Sequence, residues 1–303
     1  MKDNGKQRPP SVILFFIDGL GIGEKSAPNP LSLVENLAPL AHFRNDLNGS
    51  IPFGGILCAT DPRLGVEGRP QSASGQTTIL TGVNAPRALG YHKQGFPNEA
   101  LREIIRQNSI FRQLKNLGVE PNVFANAYTP QFFEHPPPRW KSATTVAVEA
   151  AGIEFRRLPD LVGRHAVFHD FTNESLRERG FDAPLFSPTE AAEILANLSR
   201  RHRFTLYEHF LTDKIGHDQD FERASVHLPR LAEFTRALLA KLDLETTTVI
   251  LTSDHGNIED LSVRNHTLND VPTIVWGRRK DETAERIKDL TDITPAVVRL
   301  LTE

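Results

Sequence analysis

The chain has 303 residues, 39% of them hydrophobic and 24% charged, with a formal net charge of −3. That length can bury a sizeable core in one large domain or two smaller ones, and the lack of a basic excess argues against nucleic acid and anionic membrane surfaces as partners. A single cysteine, Cys58, excludes an internal disulfide framework and suits a reducing compartment, and no apolar run approaches a membrane-spanning length, so a soluble cytoplasmic protein is expected.

Taken in chain order, SVILFFID (11–18) reads as a buried strand, short and uninterrupted, closed by Asp18. GGILCATD (54–61) is a second strand. SIFRQLKNLG (109–118) has a serine start and a glycine stop and reads as a helix. NVFANA (122–127) and HAVFHD (165–170) are shorter strand candidates. SPTEAAEILANLSRRH (187–202) opens with Ser187, Pro188 and Glu190, a capping box with proline at the first helical position. A strand is expected in FTLYEHFLTD (204–213). LPRLAEFTRALLAKL (228–242) carries Leu231, Phe234, Leu238 and Leu242 at amphipathic-helix spacing. TTTVILTSD (246–254) and VPTIVWG (271–277) are strands, and DITPAVVRLL (292–301) is a terminal helix. Strands alternating with helices predict an α/β layered fold with a mostly parallel sheet. Residues 86–202 differ in texture, with the proline run EHPPPRW (134–140) and many arginines. They are read as a smaller inserted α/β cap domain, leaving 1–85 and 203–303 as the core.

The strand ends carry the chemistry. FFIDGLG supplies Asp18, FLTDKIGHD supplies Asp213 and His217, LTSDHGN supplies Asp254 and His255, and RNHTLNDVP supplies His266. The carboxyl ends of parallel strands share one edge, where sites form. Taken singly, each residue also reads as a turn, cap or loop residue. Together, three acids and three imidazoles from four segments are too many ligands for one tetrahedral zinc. They suit two Mn²⁺ or Zn²⁺ ions about 3.5–4 Å apart. Asp254 and His255 would point to opposite faces of a continuous strand, so a turn at Gly256 is required to aim both at one ion. RPQSASGQTTILTG (69–82) places Ser72 before a short helical run, where exposed N–H groups favour phosphate. A polar capping loop is the alternative reading.

The ordered series Asp18, the serine loop, Asp213-x-x-Gly-His217, Asp254-His255-Gly-Asn and His266-Thr resembles the alkaline phosphatase superfamily. Within it, the chain is most similar to the metal-binding domain of the cofactor-independent phosphoglycerate mutases. QSASGQ (71–76) sets Ser72 at the nucleophile position, with Gly75 three residues on. The resemblance implies an alkaline-phosphatase-like three-layer core and a phosphoserine on Ser72. It also implies two metal sites: Asp18, Ser72, Asp254 and His255 at one, Asp213, His217 and His266 at the other. Gln76 stands where the mutases have histidine, and 86–202 lacks the motifs of their substrate domain.

The expected activity is therefore metal-dependent hydrolysis of a small phosphorylated substrate. A phosphomutase and a non-catalytic, metal-stabilised binding protein are the alternatives. Sulfatase activity is disfavoured because CATDPR, around Cys58, lacks a Cys-x-Pro-x-Arg pattern. Tyr91, His92 and Lys93 follow the nucleophile helix and are candidate substrate contacts, with His92 and Lys93 the leading pair. Arg139, Lys141, Arg156, Arg157 and Arg164 are further cations of the cap, expected mostly on a solvated face.

Overall fold

The uninterrupted apolar run near the N-terminus forms the central strand of the molecule. In the computed structural model, which describes residues 9–47, 49–134 and 140–303, β1 (Ser11–Ile17) is buried along its whole length. A strand covered on both faces needs no polar alternation. The other strands of the main sheet are β2 (Ile56–Thr60), β3 (Asn122–Phe124), β6 (Phe204–His209), β7 (Thr247–Thr252) and β8 (Val271–Trp276), while β4 (Ala127–Tyr128) and β5 (Arg156–Arg157) form a separate pair. The main sheet runs β2-β8-β7-β1-β6-β3. β1 lies parallel to both β6 and β7, with Ile17 opposite His209 and Phe16 opposite Thr252. β8 is antiparallel to both of its neighbours, so the residues that lead into it sit at the edge where the parallel strands end.

Alternate residues of β1 feed two cores. Ile13, Phe15 and Ile17 pack on one face, and Val12, Leu14 and Phe16 on the other. The first face is covered by α5 (Pro188–Ser199) and α7 (Phe221–Lys241). The second is covered by α1 (Ser72–Thr81), α2 (Glu99–Asn108), α3 (Ile110–Asn116), α4 (Ala143–Ala151) and α8 (Ile293–Thr302). This is a three-layer α/β architecture around a mostly parallel sheet. Among the described residues, no helix is long and apolar enough to cross a membrane.

Several elements differ from the sequence expectations. The strand expected over 204–213 stops at His209, and α6 (Leu211–Asp218) begins two residues later. Asp213 and His217 therefore sit one helical turn apart on the same face. The helix expected from Leu228 begins at Phe221, because Asp220 caps it by accepting from the Arg223 N–H, and it runs through Pro229. Residues 165–170 do not form a strand. Val167 alone makes a bridge, to Asn126, and Asp170 turns the chain by accepting from the N–H groups of Asn173 and Ser175.

The segment 86–202 is woven into the core instead of standing apart. It supplies β3 to the sheet, and Ile105, Phe111, Phe124 and Val146 to one core, with Ile194 and Leu195 to the other. Its apolar residues complete surfaces that the rest of the chain would leave exposed. The segment also lines the cavity at the site, with Phe124, Tyr128, Phe132 and Thr145 among its lining residues. Arg139 and most of the proline run lie outside the described residues.

Phe234 on α7 packs edge-on to Phe15 (5.7 Å between ring centres) and stacks on Phe171 (4.8 Å), fully buried. Phe234→Ala should destabilise the fold by about 3–5 kcal/mol in urea titrations. A loss below about 1 kcal/mol would remove this contact from the core's main supports.

Candidate metal centre and active site

Four segments deliver the polar residues to the carboxyl edge of the sheet. Asp18 follows β1, α6 carries Asp213 and His217 after β6, Asp254 and His255 follow β7, and His266 precedes β8. β7 ends at Thr252 and the chain bends at Asp254 and His255, so the two side chains face one site instead of opposite sheet faces. The turn leaves no room at Gly256: a Cβ there would lie 2.1 Å from Glu259 Oε1. Ser72 is the first residue of α1, after an extended Gln71. α1 can approach because Gly75 lacks a side chain; a Cβ would sit 2.9 Å from that of Asp254.

The donors converge closely. His255 Nε2 lies 3.0 Å from Ser72 Oγ, 3.3 Å from Asp18 Oδ1 and 3.5 Å from Asp254 Oδ2. Asp213 lies 3.3 Å from His217 Nε2 and 3.5 Å from His266 Nε2, and those two nitrogens are 3.1 Å apart. One three-residue group with ligand atoms mutually within 4.8 Å is Asp213, His217 and His266, and another is Asp18, Asp213 and His255. All seven residues expected at the site are brought together, and Asp213 belongs to both groups.

The imidazoles are oriented from behind. His217 Nδ1 is 2.8 Å from the Arg264 carbonyl and His266 Nδ1 is 2.9 Å from the Pro70 carbonyl, contacts that put a proton on each Nδ1 and turn each Nε2 toward the site.

Electrostatics separates the groups. Burial, together with the neighbouring Asp254 and Asp213 charges, holds the Asp18 carboxyl well above the usual carboxylate range. Asp254 is raised in the same way by burial and Asp213. Burial also acts to raise Asp213, but the His217 hydrogen bond and nearby imidazoles outweigh it and hold Asp213 well below its ordinary value. The Asp213 hydrogen bond raises His217. Burial lowers His255 to about 3 and lowers His266, which keeps both neutral and able to ligate.

The arrangement fits divalent cations. Three carboxylates crowd together, neutral imidazoles face them, and the buried atoms Asp18 Oδ1 and His255 Nδ1 have no hydrogen-bond partner. Mixed Asp and His donors are the chemistry of Zn²⁺ and Mn²⁺ sites.

Sequence reasoning missed the frame around these ligands. Glu259 is 1% exposed and accepts from the Gly21 and Asn257 N–H groups, the Thr267 hydroxyl and the Asn269 amide, fastening the loops after β1 and β7 to the approach to β8. Asn257 donates to Asp213 Oδ1 at 2.7 Å. Gln76, noted in the sequence only as a departure, donates to both Asp18 Oδ2 and Asp254 Oδ2, at 3.0 and 3.2 Å. The only hint to the first two was their place in DHGNIED, directly after the ligands.

His92 and Lys93 sit behind the nucleophile loop. His92 Nε2 is 3.3 Å from the Val66 carbonyl, Lys93 Nζ donates to the Gln94 carbonyl, and the Lys93 backbone pairs with Ser74. Neither lines the cavity that opens beside Ser72. Tyr91 is exposed. Lys141, Arg156 and Arg164 pair with Glu149, Asp160 and Glu190, and Arg157 lies over the Phe133 ring. The cations that do line the cavity are Arg179 and Lys214. The cavity measures about 520 Å³ and reaches Asp18, Ser72 and Asp213, with Glu208 in its wall. A second opening of about 310 Å³ meets Ser72 from the side of His217 and His266.

Comparison with known proteins bears on the fold and on part of the sequence. The sequence pattern of the metalloenzyme superfamily matches residues 183–302, which hold five of the seven convergent residues: Asp213, His217, Asp254, His255 and His266. A 75-residue stretch is 37% identical to 2,3-bisphosphoglycerate-independent phosphoglycerate mutase 1 of Archaeoglobus fulgidus, covering 24% of this chain and only 18% of that protein. Solved structures share the fold across nearly the whole chain. PH0037 of Pyrococcus horikoshii has a TM-score of 0.57 at 15% identity, covering 97% of each chain. The cold-active alkaline phosphatase of Shewanella sp. has 0.54 at 13% identity, covering 97% of this chain and 100% of the other. The C-terminal periplasmic domain of EcEptC from Escherichia coli has 0.51 at 11% identity, covering 99% and 84%. The fold is alkaline-phosphatase-like.

Glu208 gives a test of the cavity's electrostatics. Burial pushes its carboxyl up to about 7 from 4.5, with a Thr144 hydrogen bond opposing. Between these values the folded chain holds a proton that the unfolded chain has released, so this group's contribution to stability falls as pH rises. In metal-free protein, wild type should lose about 3 kcal/mol relative to Glu208→Gln between pH 4.5 and pH 7. Denaturant titrations across that range measure the difference. A pH-independent difference would show that Glu208 ionises normally.

Proposed function

We propose that the chain is a metal-dependent phosphoryl-transfer enzyme that hydrolyses a small phosphate ester, with Ser72 as nucleophile. The observation that carries this reading is the position of Ser72 Oγ, at a helix N-terminus, 3.0 Å from His255 Nε2 and open to the cavity. Asp213, His217 and His266 would hold one divalent ion, Mn²⁺ or Zn²⁺. Asp18, Ser72, Asp254 and His255 would hold the other. Such ions, when bound, lower the pKa of a coordinated hydroxyl and offset the charge of the phosphoryl oxygens.

The rest belongs to the protein. Ser72 Oγ releases its proton to solvent and attacks phosphorus in line; the new O–P bond forms as the ester O–P bond breaks, and the departing oxygen keeps the electron pair and takes a proton from solvent, giving a phosphoserine. At the start of α1 the Ser74 N–H is taken by the Lys93 carbonyl, so the Ser72 and Ala73 N–H groups are those that would favour the negative charge of the transferring group. Water then attacks the phosphoserine and releases phosphate. Gln76 holds Asp18 and Asp254 at a fixed spacing through both steps. Asn257 does the same for Asp213.

The local similarity to a phosphoglycerate mutase supports a second reading, in which the phosphoryl group returns to another hydroxyl of the same molecule. A wide cavity beside the serine favours water as the acceptor. Cytoplasmic residence goes with this proposal and is supported by the lone thiol of Cys58.

The test loads the protein with Mn²⁺ or Zn²⁺ and offers p-nitrophenyl phosphate, bis-p-nitrophenyl phosphate and 3-phosphoglycerate. Free phosphate and product isomers are quantified. Metal-dependent phosphate release is expected, and Ser72→Ala should lower kcat/KM by about three orders of magnitude or more with an unchanged circular dichroism spectrum. Unchanged activity in Ser72→Ala would remove the serine from the mechanism. Isomerisation of 3-phosphoglycerate without free phosphate would make the enzyme a mutase.

A further inference from the structure

The cavity beside Ser72 has a wall the reaction itself does not need. Phe96, Phe124, Tyr128, Phe132, Trp140 and Phe168 line it. At about 520 Å³ it is sized for a ligand much larger than a three-carbon acid. Among these rings sits one carboxyl group outside the Asp/His cluster, that of Glu208, on a residue only 8% exposed.

Glu208 is held in place by its backbone. Asn126 accepts from the Glu208 N–H at 2.9 Å and donates to its carbonyl at 2.7 Å, which consumes both ends of the amide. The side chain continues from the end of β6 into the cavity, eased only by a hydrogen bond with Thr144. No described lysine or arginine lies within ion-pair distance of it. A carboxyl group buried without a cation costs free energy unless a donor arrives, and here the open side is the cavity. Flat faces around a lone acid suit an aromatic body that carries a hydrogen-bond donor.

We propose that the cavity selects phosphate esters of an aromatic alcohol bearing an ammonium or hydroxyl donor, which Glu208 accepts while the rings enclose the body. This assignment rests on the phosphoryl-transfer reading for its phosphate end. The donor end stands on the cavity alone.

Three nearly isosteric esters separate the terms: 4-(aminomethyl)phenyl, 4-(hydroxymethyl)phenyl and 4-ethylphenyl phosphate. With metal-loaded enzyme, one or both donor-bearing esters should exceed the ethyl ester in kcat/KM by about 10- to 100-fold, and Glu208→Gln should erase most of that ratio. Whichever ester leads identifies the donor as ammonium or hydroxyl. Trp140→Ala, at the exposed rim, should raise KM for all three aryl esters relative to methyl phosphate, and it keeps the test open if Glu208→Gln folds poorly. Separately, binding of 4-(aminomethyl)phenol and 4-(hydroxymethyl)phenol by calorimetry, compared with 4-ethylphenol, needs no turnover. Donor-selective binding lost in Glu208→Gln, without hydrolysis of any ester, would uphold the cavity assignment and overturn the enzymatic reading. Hydrolysis with no donor preference in either assay would overturn the cavity assignment and leave the enzymatic reading standing.

Discussion

Three carboxylates, Asp18, Asp213 and Asp254, occupy one buried spot, and the rest of the site depends on how that repulsion is contained. Burial first, and then the like charges beside them, push the Asp18 and Asp254 carboxyls well above the usual range. Asp213 escapes because His217 and Asn257 donate to it. The arrangement persists because it is built from behind: the sheet supplies rigid strand ends, and a ring of hydrogen bonds fixes the loops that follow them. Glu259 is the centre of that ring, joining the loops after β1 and β7 to the approach to β8. Its acceptors are used up by protein donors, so it braces the site without joining the ligand cluster.

Reading the sequence anticipated the layered fold and the residues that converge, but not the frame that holds them. Strand ends marked by Asp18, Asp213 and Asp254 were visible because a buried strand followed by an acid is a local pattern. His266 was found through its position in an ordered series. The structure adds why it reaches the site at all: β8 runs antiparallel, so the residues before it lie at the same edge as those after the other strands. Asn257, Glu259 and the double contact of Gln76 were out of reach, since nothing local distinguishes a bracing amide from a loop residue.

The texture of 86–202 misled more than its periodicity did. Proline and arginine suggested an independent body, yet the apolar positions of that stretch are divided between the two faces of the main sheet. Composition reports the loops, which are exposed and conspicuous. The helices and β3 between them carry the packing. Of the polar groups this segment brings to the cavity, Asn126 acts through the backbone of Glu208, Thr144 through a hydrogen bond to its side chain, and Arg179 lines the wall directly.

The pairing of β1 has a consequence for how the chain is made. Its two neighbours, β6 and β7, begin at Phe204 and Thr247, so the most apolar strand is synthesised long before either partner. Until then both of its edges carry open backbone groups, the kind of surface that recruits other chains. Folding of this topology is governed by distant contacts and is correspondingly slow. A ribosome-bound chain short of residue 247 lacks one whole side of its central strand, and that edge stays open until β7 emerges.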